Sequence, residues 1–152
     1  MRSGNMKSSL LFYPQETPDS CVPACLRMVL ASFGQMLTEA ELCRMCDCTI
    51  FGTDAFQAID AVRKLGFLRS RKCNLSIVEL DELLRDGFFP IVYVNLMPID
   101  QTMGTHAMVV VLAAENDVIT VLDPLFGERK LERSVFDVAW RSTNGLTIVV
   151  SQ

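Results

Sequence analysis

One thiol, one imidazole, one carboxyl and one amide in this chain are spaced so that a single fold could bring them together. Cys21 lies in Asp19-Ser-Cys-Val-Pro-Ala-Cys25, which has the marks of a helix start. Asp19 or Ser20 can serve as the cap, and Pro23 falls in the first turn, where its missing N–H costs nothing. The leading N–H groups of a helix are unsatisfied and carry partial positive charge, so a thiolate there is stabilised and its pKa falls. A packing residue would gain little at that position, which favours a nucleophile. Cys25, one turn later, is expected to face inward with Met28 and Val29.

His106 is the single histidine of the chain. Its neighbourhood gives it weight, because the apolar runs His106–Ala113 and Val118–Leu122 flank the turn-like Glu115-Asn-Asp117 and predict an antiparallel hairpin. Pairing across that turn sets residue 106 opposite the region 123–125, so Asp123 becomes its cross-strand neighbour. An Asp-Pro step can simply end a strand. An acid there can also hold one imidazole nitrogen, fixing the tautomer and steadying the imidazolium. Gln15 lies six residues before Cys21 in a loop bounded by Pro14 and Pro18. Its amide can donate to a carbonyl oxygen that becomes an oxyanion, together with the Cys21 N–H. Cysteine, histidine, aspartate and glutamine together describe nucleophilic acyl chemistry.

The elements that must position these groups follow from periodicity. A first helix is predicted from Cys21 to Phe33, stopped by Gly34. Thr38-Glu-Ala-Glu41 is a capping box that opens a second, running to about Met45. Thr53 or Asp54 caps a third, with Phe56, Ile59, Ala61, Val62 and Leu65 as its apolar face and Gly66 as its stop. Ser76 opens a fourth that ends at Gly87. After Pro90 the period shortens: Ile91–Leu96, His106–Ala113, Val118–Leu122 and Gly145–Val150 read as strands, with a short helix or turn over 134–140. Asp123-Pro124 closes the third strand. Helices first and antiparallel strands after predict an α+β fold with N-terminal helices packed on one side of a C-terminal antiparallel sheet. Residues 1–10 are expected to be an extension, with Met6 as an alternative start, and 11–152 one domain, helical over about 15–87 and sheet over about 90–150.

Composition narrows the function classes. The chain has 152 residues, 50% of them hydrophobic, which suffices for one core. Its net charge of -4 and scattered cations, clustered only at Arg69, Arg71 and Lys72, argue against nucleic acid. The longest apolar run, Met108–Ala114, is far short of a membrane span. The N-terminus lacks a signal-peptide core, since Leu10–Tyr13 stops at Pro14. A cytoplasmic location is therefore expected, with the six cysteines reduced. Cys43, Cys46, Cys48 and Cys73 could offer four thiolates to zinc, but without two C-x2-C pairs the favoured reading is small buried residues. No metal or cofactor is expected.

The segment PQETPDSCVPACLRMVLASFG resembles the Q-x-x-x-x-D/S-C-G-x-A-C-L-x-M pattern of the bacteriocin-processing, double-glycine-leader peptidases. These are papain-like cysteine peptidase domains, usually found at the N-terminus of peptidase-containing ABC transporters. The likeness continues through LTEAELCRMCDCTIFGTDAFQAIDAVRKLGF, FFPIVYVNL, GTHAMVVV and VITVLDPLFGERKL to FDVAW, over about residues 11 to 150. It implies a papain-like cysteine peptidase fold with Cys21 as nucleophile, His106 as its acid and base, Asp123 as the orienting acid and Gln15 as the oxyanion donor. It implies cleavage of a leader or precursor peptide after a double-glycine motif, either in trans with an ABC transporter or, in a stand-alone relative, on another peptide. The alternative is a peptide-binding module of the same fold that does not cut, against which the complete set of four residues stands. Val22 occupies the place where the family commonly has glycine. A bulkier side chain there is expected to narrow or reshape the approach of a glycine-rich substrate.

Overall fold

The computed structural model describes residues 10–49, 52–114 and 117–152. Nearly all of the expected N-terminal extension and two residues of the hairpin turn, Glu115 and Asn116, lie outside them. Three of the helices start as the sequence predicts. Thr38, Asp54 and Ser76 each accept a backbone N–H three residues on, and Glu41, Gln57 and Glu79 reach back to complete capping boxes on α2 (Glu39–Met45), α3 (Ala55–Lys64) and α4 (Ile77–Arg85). The first helix, α1 (Cys21–Ser32), is different. Ser20 is its cap residue but makes no side-chain cap bond, because its hydroxyl is engaged in the turn before it, donating to the Thr17 carbonyl and accepting the Thr17 N–H.

The remaining elements are β1 (Arg71–Asn74), β2 (Ile91–Asn95), the short α5 (Met97–Asp100), β3 (Thr105–Ala114), β4 (Val118–Asp123), β5 (Gly127–Glu132), α6 (Arg133–Arg141) and β6 (Leu146–Val149). The strands form one antiparallel sheet in the order β1-β6-β2-β3-β4-β5. The strands β1 and β5 and the helix α5 have no counterpart among the sequence expectations. Both strands are sheet edges with polar sequences, Arg-Lys-Cys-Asn and Gly-Glu-Arg-Lys-Leu-Glu. Charged residues keep an edge from pairing with another chain and also remove the hydrophobic signal by which a strand is recognised. β1 is tied in by Gly145, whose positive φ of 67° and missing Cβ let the chain lie against the Leu75 carbonyl.

Helices cover both faces of the sheet, not one. On the first face, Leu26, Met28 and Val29 of α1 and Ala58, Ile59 and Val62 of α3 share a cluster with Ile91, Tyr93, Ala107, Val109, Val111 and Ile148. On the second, Leu80 and Leu84 of α4 and Phe136, Ala139 and Trp140 of α6 pack on Val92, Val94, Met108, Val110, Ile119 and Val121. The physical reason is in the strands themselves. Ile-Val-Tyr-Val and Ala-Met-Val-Val-Val are apolar at every position, so both faces need cover. Phe56, expected on the inner face of α3, is 69% exposed, because the buried stripe runs through Ala55, Ala58, Ile59 and Val62; its ring lies 5.2 Å from the Lys72 ammonium of β1. Leu26 in the middle of α1 has no exposed surface; truncating such a residue costs about 2–5 kcal/mol, so the helix that carries Cys21 is firmly seated.

Candidate active site

Cys21 is the first residue of α1, half-buried and packed on the edge of the first core cluster. With no side chain capping this helix and with Pro23 lacking an N–H, the Cys21 and Val22 amides are the donors left at its tip. Ala24 already donates to the Ser20 carbonyl at 3.0 Å.

His106 comes from β3 and Asp123 from the end of β4. The register Val109↔Leu122 and Val110↔Val121 carries the two ends of the hairpin past each other as expected, after a bulge between Val110 and Leu112. His106 Nε2 and Asp123 Oδ1 stand 2.8 Å apart, with 5% and 0% exposure. With Nε2 occupied, Nδ1 is the ring nitrogen left for Cys21, whose thiol is near enough to raise the imidazole pKa. Burial pulls the imidazole pKa down, but the hydrogen bonds to Asp123 and Cys21 outweigh it and set the value at about 9. The ring is therefore an imidazolium at neutral pH. Burial likewise pushes the Asp123 carboxyl up, and bonds from His106, Leu125 and Arg129 hold it below its ordinary value.

Gln15 reaches this corner by another route. Its backbone N–H donates to the Pro124 carbonyl at 2.9 Å, tying the loop before α1 to the residue after Asp123. Its side-chain Nε2 donates to the carbonyls of Thr17 at 2.8 Å and Pro18 at 3.3 Å, while Oε1 is buried without a partner. The amide is thus in the right loop but turned onto its own backbone. Glu39, 3% exposed at the start of α2, accepts the Glu16 N–H with both carboxylate oxygens and fixes the same loop from outside. Burial raises the Glu39 pKa despite those bonds.

The other thiols separate from this group. Cys25 is fully buried, and its pKa is raised well above the ordinary thiol value, by burial first and by the charges of Cys21 and Asp123 next. Cys43, Cys46 and Cys48 gather at the end of α2, whereas Cys73 is on β1 beside the Thr147 carbonyl. The four are not brought together, and among the described residues no three metal-ligating side chains converge. Val22 is 2% exposed within the first core cluster. Its side chain points inward, so the expectation that it narrows the substrate's approach does not hold.

Sequence reasoning missed Arg129 and Asp100. Arg129 Nη1 lies 3.0 Å from Asp123 Oδ2, and the same guanidinium takes Asp100 at 2.6 and 3.0 Å. No local signal marked them, since Gly-Glu-Arg-Lys-Leu-Glu has one large apolar residue, Leu131, and becomes a strand through its pairing with β4.

The sequence profile of the Peptidase C39 family matches residues 10–152. The chain belongs to the Peptidase C39 family. It is accordingly a cysteine peptidase. None of the curated protein sequences compared with it matches. Among solved structures, the chain is similar to the peptidase domain of Streptococcus ComA, a bifunctional ABC transporter involved in quorum sensing, at 25% identity and a TM-score of 0.72, with 92% of this chain and 97% of that one covered. It also shares its fold with a double-glycine-motif protease from an AMS/PCAT transporter solved with a leader peptide, at 20% identity and a TM-score of 0.72, over 91% and 89% of the two chains. A C39-like peptidase from Bacillus anthracis shares the fold at 16% identity and a TM-score of 0.80, over 95% and 96%. The papain-like C39 fold, with helices around a six-stranded antiparallel sheet, is thus that of this chain.

Proposed function

We propose that this C39 peptidase cuts a leader peptide from a precursor after a double-glycine motif, through Cys21, His106 and Asp123 with Gln15 and the helix-tip amides as oxyanion donors. The observation that carries the reading is the His106–Asp123 pair at 2.8 Å, buried together and close enough to Cys21 for the thiol to act on the imidazole. The Cys21 thiolate adds to the scissile carbonyl carbon, and the carbonyl oxygen takes up the negative charge beside the N–H groups of Cys21 and Val22. Gln15 Nε2 joins them by giving up the longer of its two bonds, that to Pro18. His106 Nδ1 passes its proton to the leaving amine as the C–N bond breaks, which leaves a thioester on Cys21. The neutral imidazole then takes a proton from water, the hydroxide adds to the thioester, and the C–S bond breaks to release the acid. Thiolate and imidazolium are restored. Asp123 keeps the ring in the orientation both transfers need.

A peptide substrate also accounts for the surroundings. Met97, Met103, Leu125 and Phe126, between 46% and 88% exposed, sit on the two connections that lead into His106 and out of Asp123. Apolar side chains gathered beside a reactive group mark a surface that another chain covers. The ComA and AMS/PCAT neighbours belong to ABC transporters, and a transporter acting with this chain on the cytoplasmic side of a membrane fits the same reading. Among the described residues no helix is long and apolar enough to cross a membrane.

The test is a panel of synthetic precursors with Gly-Gly or Gly-Ala before the scissile bond, followed by mass spectrometry. Cleavage directly after the motif is expected, and none with Cys21→Ala or His106→Ala. Tight binding of the precursor with no cleavage over long incubation would replace the peptidase mechanism with a binding role.

A further inference from the structure

Asp123 is a carboxylate with no exposed surface, and a buried charge persists only when paired and hydrogen-bonded. Its two oxygens are served differently. Oδ1 faces His106 Nε2 at 2.8 Å and accepts the Leu125 N–H at 2.9 Å, whereas Oδ2 has Arg129 Nη1 at 3.0 Å. Arg129 comes from β5 and is itself held, by two bonds to Asp100 on α5 and by Phe126, whose ring centre lies 5.4 Å from the guanidinium carbon. Resting on the proposed roles of Cys21, His106 and Asp123, we infer that Arg129 is a positioning residue: anchored by Asp100, it occupies Asp123 Oδ2 and so leaves Oδ1 to orient His106.

Three physical points support this. A guanidinium does not give up its proton in a protein, so Asp123 beside it stays the anion that an imidazolium needs. The planar guanidinium bonds Asp100 through two nitrogens while Nη1 also reaches Asp123, fixing the plane of the triad carboxyl and not just its charge. Asp100 balances the added cation, so Arg129 secures the carboxylate without a net positive charge that would oppose the imidazolium. The groups in contact with Asp123 are His106 from β3, Arg129 from β5 and the Leu125 N–H from the following turn, and the buried Cys25 thiol of α1 is near enough to feel its charge. Arg129 is thus the one permanent cation in contact with it among the described residues.

The experiment compares wild type, Arg129→Gln, Arg129→Lys and Asp100→Asn in three readouts: the pH profile of Cys21 alkylation by iodoacetamide, kcat and KM on a double-glycine precursor, and the thermal midpoint. Loss of a charge-assisted bond predicts a fall in kcat on the order of ten-fold for Arg129→Gln, with KM within a factor of two and a displaced alkylation profile. Arg129→Lys, which keeps the charge but not the fork, should recover part of both. Asp100→Asn, which loosens only the anchor, should move them less and in the same direction. A folded Arg129→Gln protein with the wild-type profile and kcat would reduce Arg129 to a structural tie between β5 and α5. Should that variant not fold, an Asp100→Asn profile equal to wild type overturns the inference in its place. Wild-type alkylation at a cysteine other than Cys21 overturns instead the triad reading on which the inference rests.

Discussion

Two ends of two adjacent helices carry thiols, and they teach opposite things. At the start of α1, Cys21 meets the N–H end of a helix that no side chain caps, with an imidazolium beside it. At the end of α2, Cys43 and Cys46 sit where carbonyls collect and partial charge is negative. Burial pushes both of these thiols up to about 12; for Cys43, hydrogen bonding with Cys48 adds to it. Burial without a histidine makes packing groups of the α2 thiols, whereas an imidazolium and an uncapped helix start make Cys21 a candidate nucleophile.

The contrast breaks most visibly under substitution. Cys21→Ala should lower turnover of a cleaved precursor by roughly ten-thousand-fold or more, while Cys43→Ser stays within a factor of two in the same assay. Equal losses would show that both thiols serve the reaction. Gln15→Ala should cost on the order of a hundred-fold in kcat; an unchanged kcat would mean that the amide stays on the Thr17 and Pro18 carbonyls throughout and that the helix-tip N–H groups act alone. The imidazolium gives a third measurement. Because the folded pKa of His106, about 9, exceeds the unfolded value of about 6.5, its contribution is complete below pH 6.5 and is lost as pH rises through 9. Chemical denaturation should show stability falling by up to about 3 kcal/mol across that window, and His106→Ala should flatten the slope. A slope that survives the substitution would assign it to other groups. The smallest effect belongs to the α2 end, where Cys46→Ala should destabilise by about 1 kcal/mol and leave turnover alone.

The helices and the inner strands were legible because their signals are local. The Thr38 capping box, the helix starts at Asp54 and Ser76 and the stops at Gly34, Gly66 and Gly87 are written within a few residues, and continuous apolar runs mark β2, β3 and β4. The His106–Asp123 pairing was legible from the hairpin alone, since register follows from where a turn must fall. What stayed hidden depends on tertiary context. β1 and β5 are charged edge strands that pair because a neighbour is present, so Arg129, which lies on β5, went unread with them. The side-chain direction of Gln15 was also beyond periodicity, because the competing carbonyls of Thr17 and Pro18 belong to the folded loop. Val22 illustrates the reverse error. Position next to a nucleophile suggested contact with substrate, yet a helix turns about 100° per residue and carries that side chain into the core.

The most direct test of the central claim is substrate-free. Wild-type protein treated at pH 7 with a limiting amount of iodoacetamide, then digested and mapped by mass spectrometry, should carry the label at Cys21, and His106→Ala should slow that labelling at least ten-fold. Label appearing first at Cys43, Cys46, Cys48 or Cys73, or a Cys21 rate indifferent to His106, would contradict the account.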